Sequence, residues 1–437
     1  MTYTLLRIAC YYGYFAVGLI LTVPGPVIPA LQEAFALSTG QVGAMFLAQG
    51  AGFALAVAGG GALSDTSGRR PVLIAGAVLV TLTLFAFARV NTWGAALLLF
   101  GVAAAGFGLV EACLNSLTID LARGNEGRAL NLLHLFPALG AVAGPYLGSS
   151  LAGRTWAAPF LAIGGLFLIF TLGVAFLRFP PAEASAPDGP AGSARPSTER
   201  GGQERRGRAA MREERGEAAP PWLTDPLVHA LAVVMALYVG VEIAVSSWTV
   251  SYALQELRAS PVFGAALTSL FWLALALGRL VCGAVSDRAG HMRTLILTSA
   301  GALAGFSPVF LRPAPAALAA SLFVTGFFLG GVFPTALAHA GTLVRGPVGA
   351  ATGAIIAVGT LGGAVIPAVV GLVANRGGMQ AGMRTAALAL GLLLLALLVT
   401  RSIELRRFAP AHHESGEREP PVQDVPAVHG RRWTIRR

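Results

Sequence analysis

Glu111 and Asn115 are an acid and an amide four positions apart inside an otherwise apolar run. On a helix that spacing puts both on one face, where they offer acceptors and donors suited to a polyol. Withdrawn from water, the carboxyl group can also hold a proton near neutral pH. Burying it mid-membrane costs about 2.5–3.5 kcal/mol on insertion scales, so it must face a bundle interior, a wet cavity or a counter-charge. Arg279, also embedded in an apolar run, is the available charge partner. A second acid, Glu242, occupies the middle of another run, with Trp248 six residues later on roughly the same side. A ring beside a carboxyl group fits the apolar face and hydroxyl edge of a sugar, although a tryptophan there equally suits the membrane interface. His134 and His339, near the ends of their runs, could relay protons, a role rarer for such histidines than capping or solvation. Asp120 reads as an interfacial partner for Arg123 or Arg128.

Other classes of function find no support. No nucleotide-binding loop, metal-ligand cluster or nucleophile–base arrangement occurs in the aqueous segments, so an enzyme or ATP-driven pump is set aside and no cofactor or metal is expected. Cys10, Cys113 and Cys282 lie in apolar runs and read as small hydrophobes rather than a disulfide framework. The net charge of +10 comes from arginines in short loops, a linker and the tail, a placement that points away from nucleic acid.

The elements that must position these side chains are membrane helices. With 55% hydrophobic and 12% charged residues, the chain is built for lipid. A bilayer core takes about 20 apolar residues per helix. Such runs lie at about 8–31, 39–62, 71–89, 93–121, 130–152 and 157–178, then 226–254, 262–284, 292–311, 316–343, 349–374 and 381–403. The expected fold is all-α and polytopic, with twelve transmembrane helices in two pseudo-symmetric six-helix bundles, residues 1–178 and 223–405. The basic linker 179–222 and the tail 406–437 hold too little apolar surface to fold and are expected to be disordered. Met1 to Arg7 leads straight into the first run without a cleavage site, so it opens a spanning helix. Arg89, Arg154, Arg258, Arg312, Arg376 and Arg384 fall on one side and all the other loop, linker and tail arginines on the opposite side, which sets both termini in the cytoplasm.

A short charged loop appears twice, 222 residues apart: Gly61-Ala-Leu-Ser-Asp65-Thr-Ser-Gly68-Arg69-Arg70 and Gly283-Ala-Val-Ser-Asp287-Arg288-Ala-Gly290-His-Met-Arg293. A tight turn between helices needs a glycine at positive φ, a need that Gly68 and Gly290 fit. Asp65 and Asp287 can accept hydrogen bonds from a helix N-terminus and pair with arginine across the two halves, forming a gate latch; the alternative is that these charges merely anchor the loops on the cytoplasmic side. The same offset matches Gly18 with Gly240, Gly108 with Gly330, Gly140 with Gly362 and Pro145 with Pro367. It sets Glu111 opposite Phe333 and Asn115 opposite Leu337, so the polar site is asymmetric.

Spacing, topology and duplication together resemble the major facilitator superfamily over residues 5 to 405. Gly106-x-Gly108-x-x-Glu111-Ala-Cys-Leu-Asn115, Asn131-Leu-Leu-His134, Gly144-Pro145, Tyr238-Val-Gly-Val-Glu242 with Trp248, and Phe271-Trp272 before Gly278-Arg279 are similar to the sugar-transporting branch typified by fucose:proton symporters. That resemblance implies secondary transport of a small polar solute, a hexose-like sugar first, by rocking of the two bundles around a midplane site in the plasma (inner) membrane. Glu111, Asn115, Glu242 and Trp248 would contact solute or proton, in a single chain. The fucose type carries an aspartate four residues before the proline aligned with Pro29, whereas Gly25 stands here, which argues against coupling by that route and makes uniport an option. Gly140-x-x-x-Gly144-Pro145-x-x-Gly148 also resembles a motif of drug:proton antiporters, the alternative reading, though an upstream glycine of that pattern is Asn131. Close packing and a bend at Pro145 account for the same residues.

Overall fold

The computed structural model describes residues 3–122, 126–179, 224–311, 314–343 and 348–408. The linker 180–222 and the tail beyond 408 lie outside them. The helices are α1 Thr4–Thr22, α2 Pro24–Phe35, α3 Thr39–Ser67, α4 Arg69–Ala86, α5 Trp93–Ala122, α6 Glu126–Ala152 and α7 Ala158–Phe176. After the linker come α8 Pro226–Leu257, α9 Pro261–Ala289, α10 His291–Phe306, α11 Pro315–Leu329, α12 Val332–Leu343 and α13 Val348–Phe408. Among the described residues, nine helical stretches are long and apolar enough to cross a membrane.

Local chemistry explains where these crossings start, bend and stop. Ser38 accepts from the Gln41 N–H while the Gln41 side chain accepts from the Ser38 N–H, a reciprocal cap that starts α3. Ser260 and Asp225 cap α9 and α8 in the simpler way. Pro24 opens α2, splitting the first crossing at Val23 into two helices that run on as one. The pair Gly330-Gly331 likewise separates α11 from α12. α13 spans 61 residues, too long for one crossing, and breaks at Gly378, whose φ of 79° no ordinary helical residue adopts. Joining α1 with α2 and α11 with α12, and dividing α13, gives twelve successive crossings whose limits follow the apolar runs. Arg406 and Arg407 belong to the last helix, not to the tail as the sequence suggests; Arg407 meets both Asp225 carboxylate oxygens at 2.8 Å.

The duplication is visible as packing. A side chain at Gly18 or Gly140 would strike the facing backbone, 2.0 Å from the Pro137 carbonyl oxygen and 2.1 Å from that of Phe15. Their repeat partners do the same in the second half, where Gly362 would come within 2.0 Å of the Ala236 carbonyl and Gly240 within 2.7 Å of the Gly362 carbonyl. Gly108 on Phe53 and Gly330 on Leu275 form another pair of equivalents. Glycine at these positions lets helix backbones touch, which in lipid replaces the missing hydrophobic drive for association.

The glycine contacts that join the halves lie at the membrane face opposite residues 3 and 408. There Gly25 of α2 lies on Ser246 and Ser247 of α8, Gly43 and Gly50 of α3 lie on Ala368 and Ala364 of α13, and Phe46 meets Trp248. Gly353 shares its helix face with Ala364, eleven residues or about three turns away, yet has open space around it. Among the described residues the seam is therefore closely packed at the shut end opposite the termini and, around Gly353, loose toward the other.

Candidate functional site

Seven polar side chains from both halves gather about 10–24 Å in from the helix ends on the face carrying residues 3 and 408, at 1.5 Å per residue. Glu111 and Asn115 stand on one side of α5, both half-buried, and among the described residues Glu111 has no ion pair. The Tyr14 hydroxyl of α1 reaches toward Glu111 and Asn115 but completes no hydrogen bond. The His134 ring of α6 meets the Tyr14 ring edge-on, centroids 5.3 Å apart, and feels the charge of Arg279 across the interface. Arg279 of α9 contacts Glu242 of α8, Nη2 to Oε1 at 3.4 Å. Tyr238, one turn before Glu242, sits beside both partners, its buried hydroxyl also lacking a well-formed hydrogen bond.

Arg279 thus belongs to Glu242 and not to Glu111, the partner considered from sequence. Its side chain is 36% exposed at a depth where lipid would be intolerable, and His134 is exposed at similar depth. Charged and polar groups so placed face a wet interior. The group can therefore hydrogen-bond a small polar solute on several sides, with one carboxyl group that has no ion pair among the described residues.

Each member of the group breaks the repeat. Glu111 and Asn115 face Phe333 and Leu337 at the 222-residue offset, and His134, Arg279, Glu242, Tyr14 and Tyr238 face Ile356, Val57, Ile20, Ala236 and Ala16. Tyr14 and Tyr238 were not picked out as site residues from the sequence. Asking which polar intramembrane residues lack a polar repeat partner would have found them.

Trp248 is not brought to this group. Six residues is 1.7 turns, so it points some 120° away from Glu242 rather than the same way. Its buried ring fills the space left by Gly371, and its indole N–H donates to the Pro367 carbonyl at 2.9 Å. That burial also rules out the interfacial role. His339 lies apart, with Nε2 3.4 Å from the Glu404 carboxylate and its ring near His291.

In the repeated loops Gly68 and Gly290 take φ of 84° and 86°, as a tight turn between helices requires. Arg69 pairs with Asp120 and donates to the Ser116 carbonyl at 2.9 Å; Arg70 donates to the Ala175 carbonyl at 2.8 Å. Asp120 thus pairs with Arg69, because the turn at Gly68 swings Arg69 onto the end of α5; the side chains of the partners expected from sequence, Arg123 and Arg128, lie outside the described residues. Arg288 and Arg293 are exposed and Gly283 is unhindered. The side chains of Gly61, Asp65 and Asp287 lie outside the described residues, as do Asn131, Arg123 and Arg128. Gly144 fits against Thr22 and Gly148 against Pro26, so the α6 glycines are used in packing on the first crossing, with Pro145 buried between them.

Two helical bundles around an internal polar group define a polytopic membrane transporter. The chain belongs to the Major Facilitator Superfamily, whose profile matches residues 10–315 and 230–435, a family of transporters rather than enzymes. It is similar to Bypass of stop codon protein 6 of Saccharomyces cerevisiae, 27% identical over 85% of this chain and 78% of that protein. It is also similar to the glucose/mannose transporter GlcP of Bacillus subtilis, 22% identical over 91% and 94%. Among solved structures, a D-xylose-proton symporter superimposes with a TM-score of 0.72 at 13% identity, covering 92% of this chain and 97% of that one.

Proposed function

We propose that this transporter carries a hexose-like sugar together with a proton, by alternating access about the group formed by Glu111, Asn115, Tyr14, His134, Arg279, Glu242 and Tyr238. The observation that carries the reading is Glu111, a half-buried carboxyl group that has no ion pair among the described residues and stands beside an amide and a phenol. It can hold a proton in one state and accept a sugar hydroxyl in another. Glu242, balanced by Arg279, supplies hydrogen-bonding edges without a net charge. The proton comes through Glu111 because the first crossing has Gly25, not an acid, near its bend. The relatives named for glucose/mannose and D-xylose support a sugar as the solute. With the termini in the cytoplasm of a plasma (inner) membrane, the shut end of the seam faces outward and the loose end inward. The chain works as a single unit.

The drug-antiporter reading has less support, because Gly140, Gly144 and Gly148 are explained by contact with Phe15, Thr22 and Pro26. A thermal-shift screen of purified protein against hexoses, pentoses, nucleosides and cationic drugs tests the solute, since a ligand bound only by the folded state raises stability. Stabilisation by hexoses and uptake into proteoliposomes driven by an inward proton gradient are expected. Stabilisation by cationic drugs alone would overturn the reading.

A further inference from the structure

One of the tight contacts that join the halves away from the solute site is made at Gly25. A Cβ at Gly25 would lie 2.8 Å from the Ser247 carbonyl oxygen, 2.9 Å from the Ser247 Cα and 3.2 Å from the Ser246 carbonyl oxygen. Those are backbone atoms inside α8, which cannot turn aside as a side-chain tip can. Gly25 belongs to one half and Ser246 and Ser247 to the other, so the contact joins bodies that must separate. Beside it, Trp248 is held in its own half by the Pro367 carbonyl and presents its ring to Phe46 across the seam, centroids 5.9 Å apart.

We infer that Gly25 against the 246–248 segment is the closing contact of the membrane face opposite the termini, and that closure requires position 25 to have no side chain. Trp248 is the peg of the same gate: anchored to Pro367, seated in the notch of Gly371, it fills the seam next to the backbone contact. Packed interfaces of this kind have discrete arrangements, not a continuous range. One methyl group at position 25 therefore shifts the population instead of merely loosening the fit. The glycines that pack within a half, such as Gly18 on Pro137, have no such consequence, because their two helices move together.

The test places spin labels at Ala34→Cys and Arg376→Cys, exposed positions on opposite halves at this face, in the full chain in nanodiscs without solute. The three native cysteines are buried. Gly25→Val is expected to lengthen the distance distribution, raising the open-to-closed ratio by about tenfold or more, and to slow uptake. Gly25→Ala gives a smaller shift in the same direction and serves if the valine variant does not fold. Trp248→Ala also shifts toward open, and Gly173→Val, where nothing lies within 4 Å, leaves the distribution unchanged. A Gly25→Ala protein whose melting temperature falls while its distances stay as in the native chain would overturn the inference. The measurement needs no solute, so it stands or falls independently of the sugar.

Discussion

Arg279 directs its guanidinium to Glu242, Nη2 to Oε1 at 3.4 Å, and leaves Glu111 on the facing half without an ion pair among the described residues. The contact is single and long, and the Arg279 side chain is partly open to water, so screening limits its strength. In a double-mutant cycle, Glu242→Gln and Arg279→Gln each destabilise, and the pair together costs less than the sum, with a coupling of about 1 kcal/mol. Unfolding of the four proteins in detergent checks this. Strict additivity would mean that the two charges do not sense each other.

Glu111→Gln keeps the shape and hydrogen-bonding capacity of the site but fixes it in the neutral form. Uptake against a sugar gradient is expected to fall by about tenfold or more, equivalent to at least 1.4 kcal/mol on the limiting step. Exchange of labelled for unlabelled sugar across proteoliposomes, which needs no net proton movement, persists. Driven accumulation by this variant that still follows external pH would remove Glu111 from coupling.

The apolar runs and the 222-residue repeat made the helices and their grouping legible, because membrane helices must satisfy their backbone internally and so carry long local signals. The turn glycines were legible for the same local reason: Gly68 and Gly290 each end one helix and begin the next. Which charges would meet was not legible. Whether Arg279 turns toward Glu111 or Glu242 depends on how two bundles face each other across more than a hundred residues, and nothing local encodes that. Trp248 was misplaced by a smaller error of phase, since six residues do not close a whole number of turns. The depth of Glu111 was readable, whereas the company of Tyr14 and His134 came only with the tertiary packing.

Close backbone approach at the α6 and α13 glycines makes them sensitive to size. Gly140→Leu and Gly362→Leu each set a side chain within about 2 Å of a carbonyl oxygen of the neighbouring helix, and overpacking of this sort costs about 1–3 kcal/mol or more. Lower melting temperatures and poor recovery from membranes are expected for both, to a similar extent, since the two sites are repeat equivalents. Gly391→Ala, where nothing lies within 4 Å, is neutral or gains up to about 1 kcal/mol from helix propensity. A tolerated Gly140→Leu would mean that α1 and α6 do not touch as described.

The described contacts of the loop at Gly68 join parts of one half. Arg69 ties the start of α4 to Asp120 and Ser116 on α5, and Arg70 ties it to Ala175 on α7, all within one half. A clamp inside one rigid body contributes stability without favouring either conformation. Arg69→Ala is therefore expected to lower the melting temperature by several degrees, in line with loss of about 1–2 kcal/mol. Gly68→Ala, strained at φ 84° and ψ 155°, should cost about 1–3 kcal/mol. Neither should move the distance between labels at positions 34 and 376. A shift in that distance on changing Arg69 would make the loop a latch between the halves, and Asp65 its natural partner to examine next.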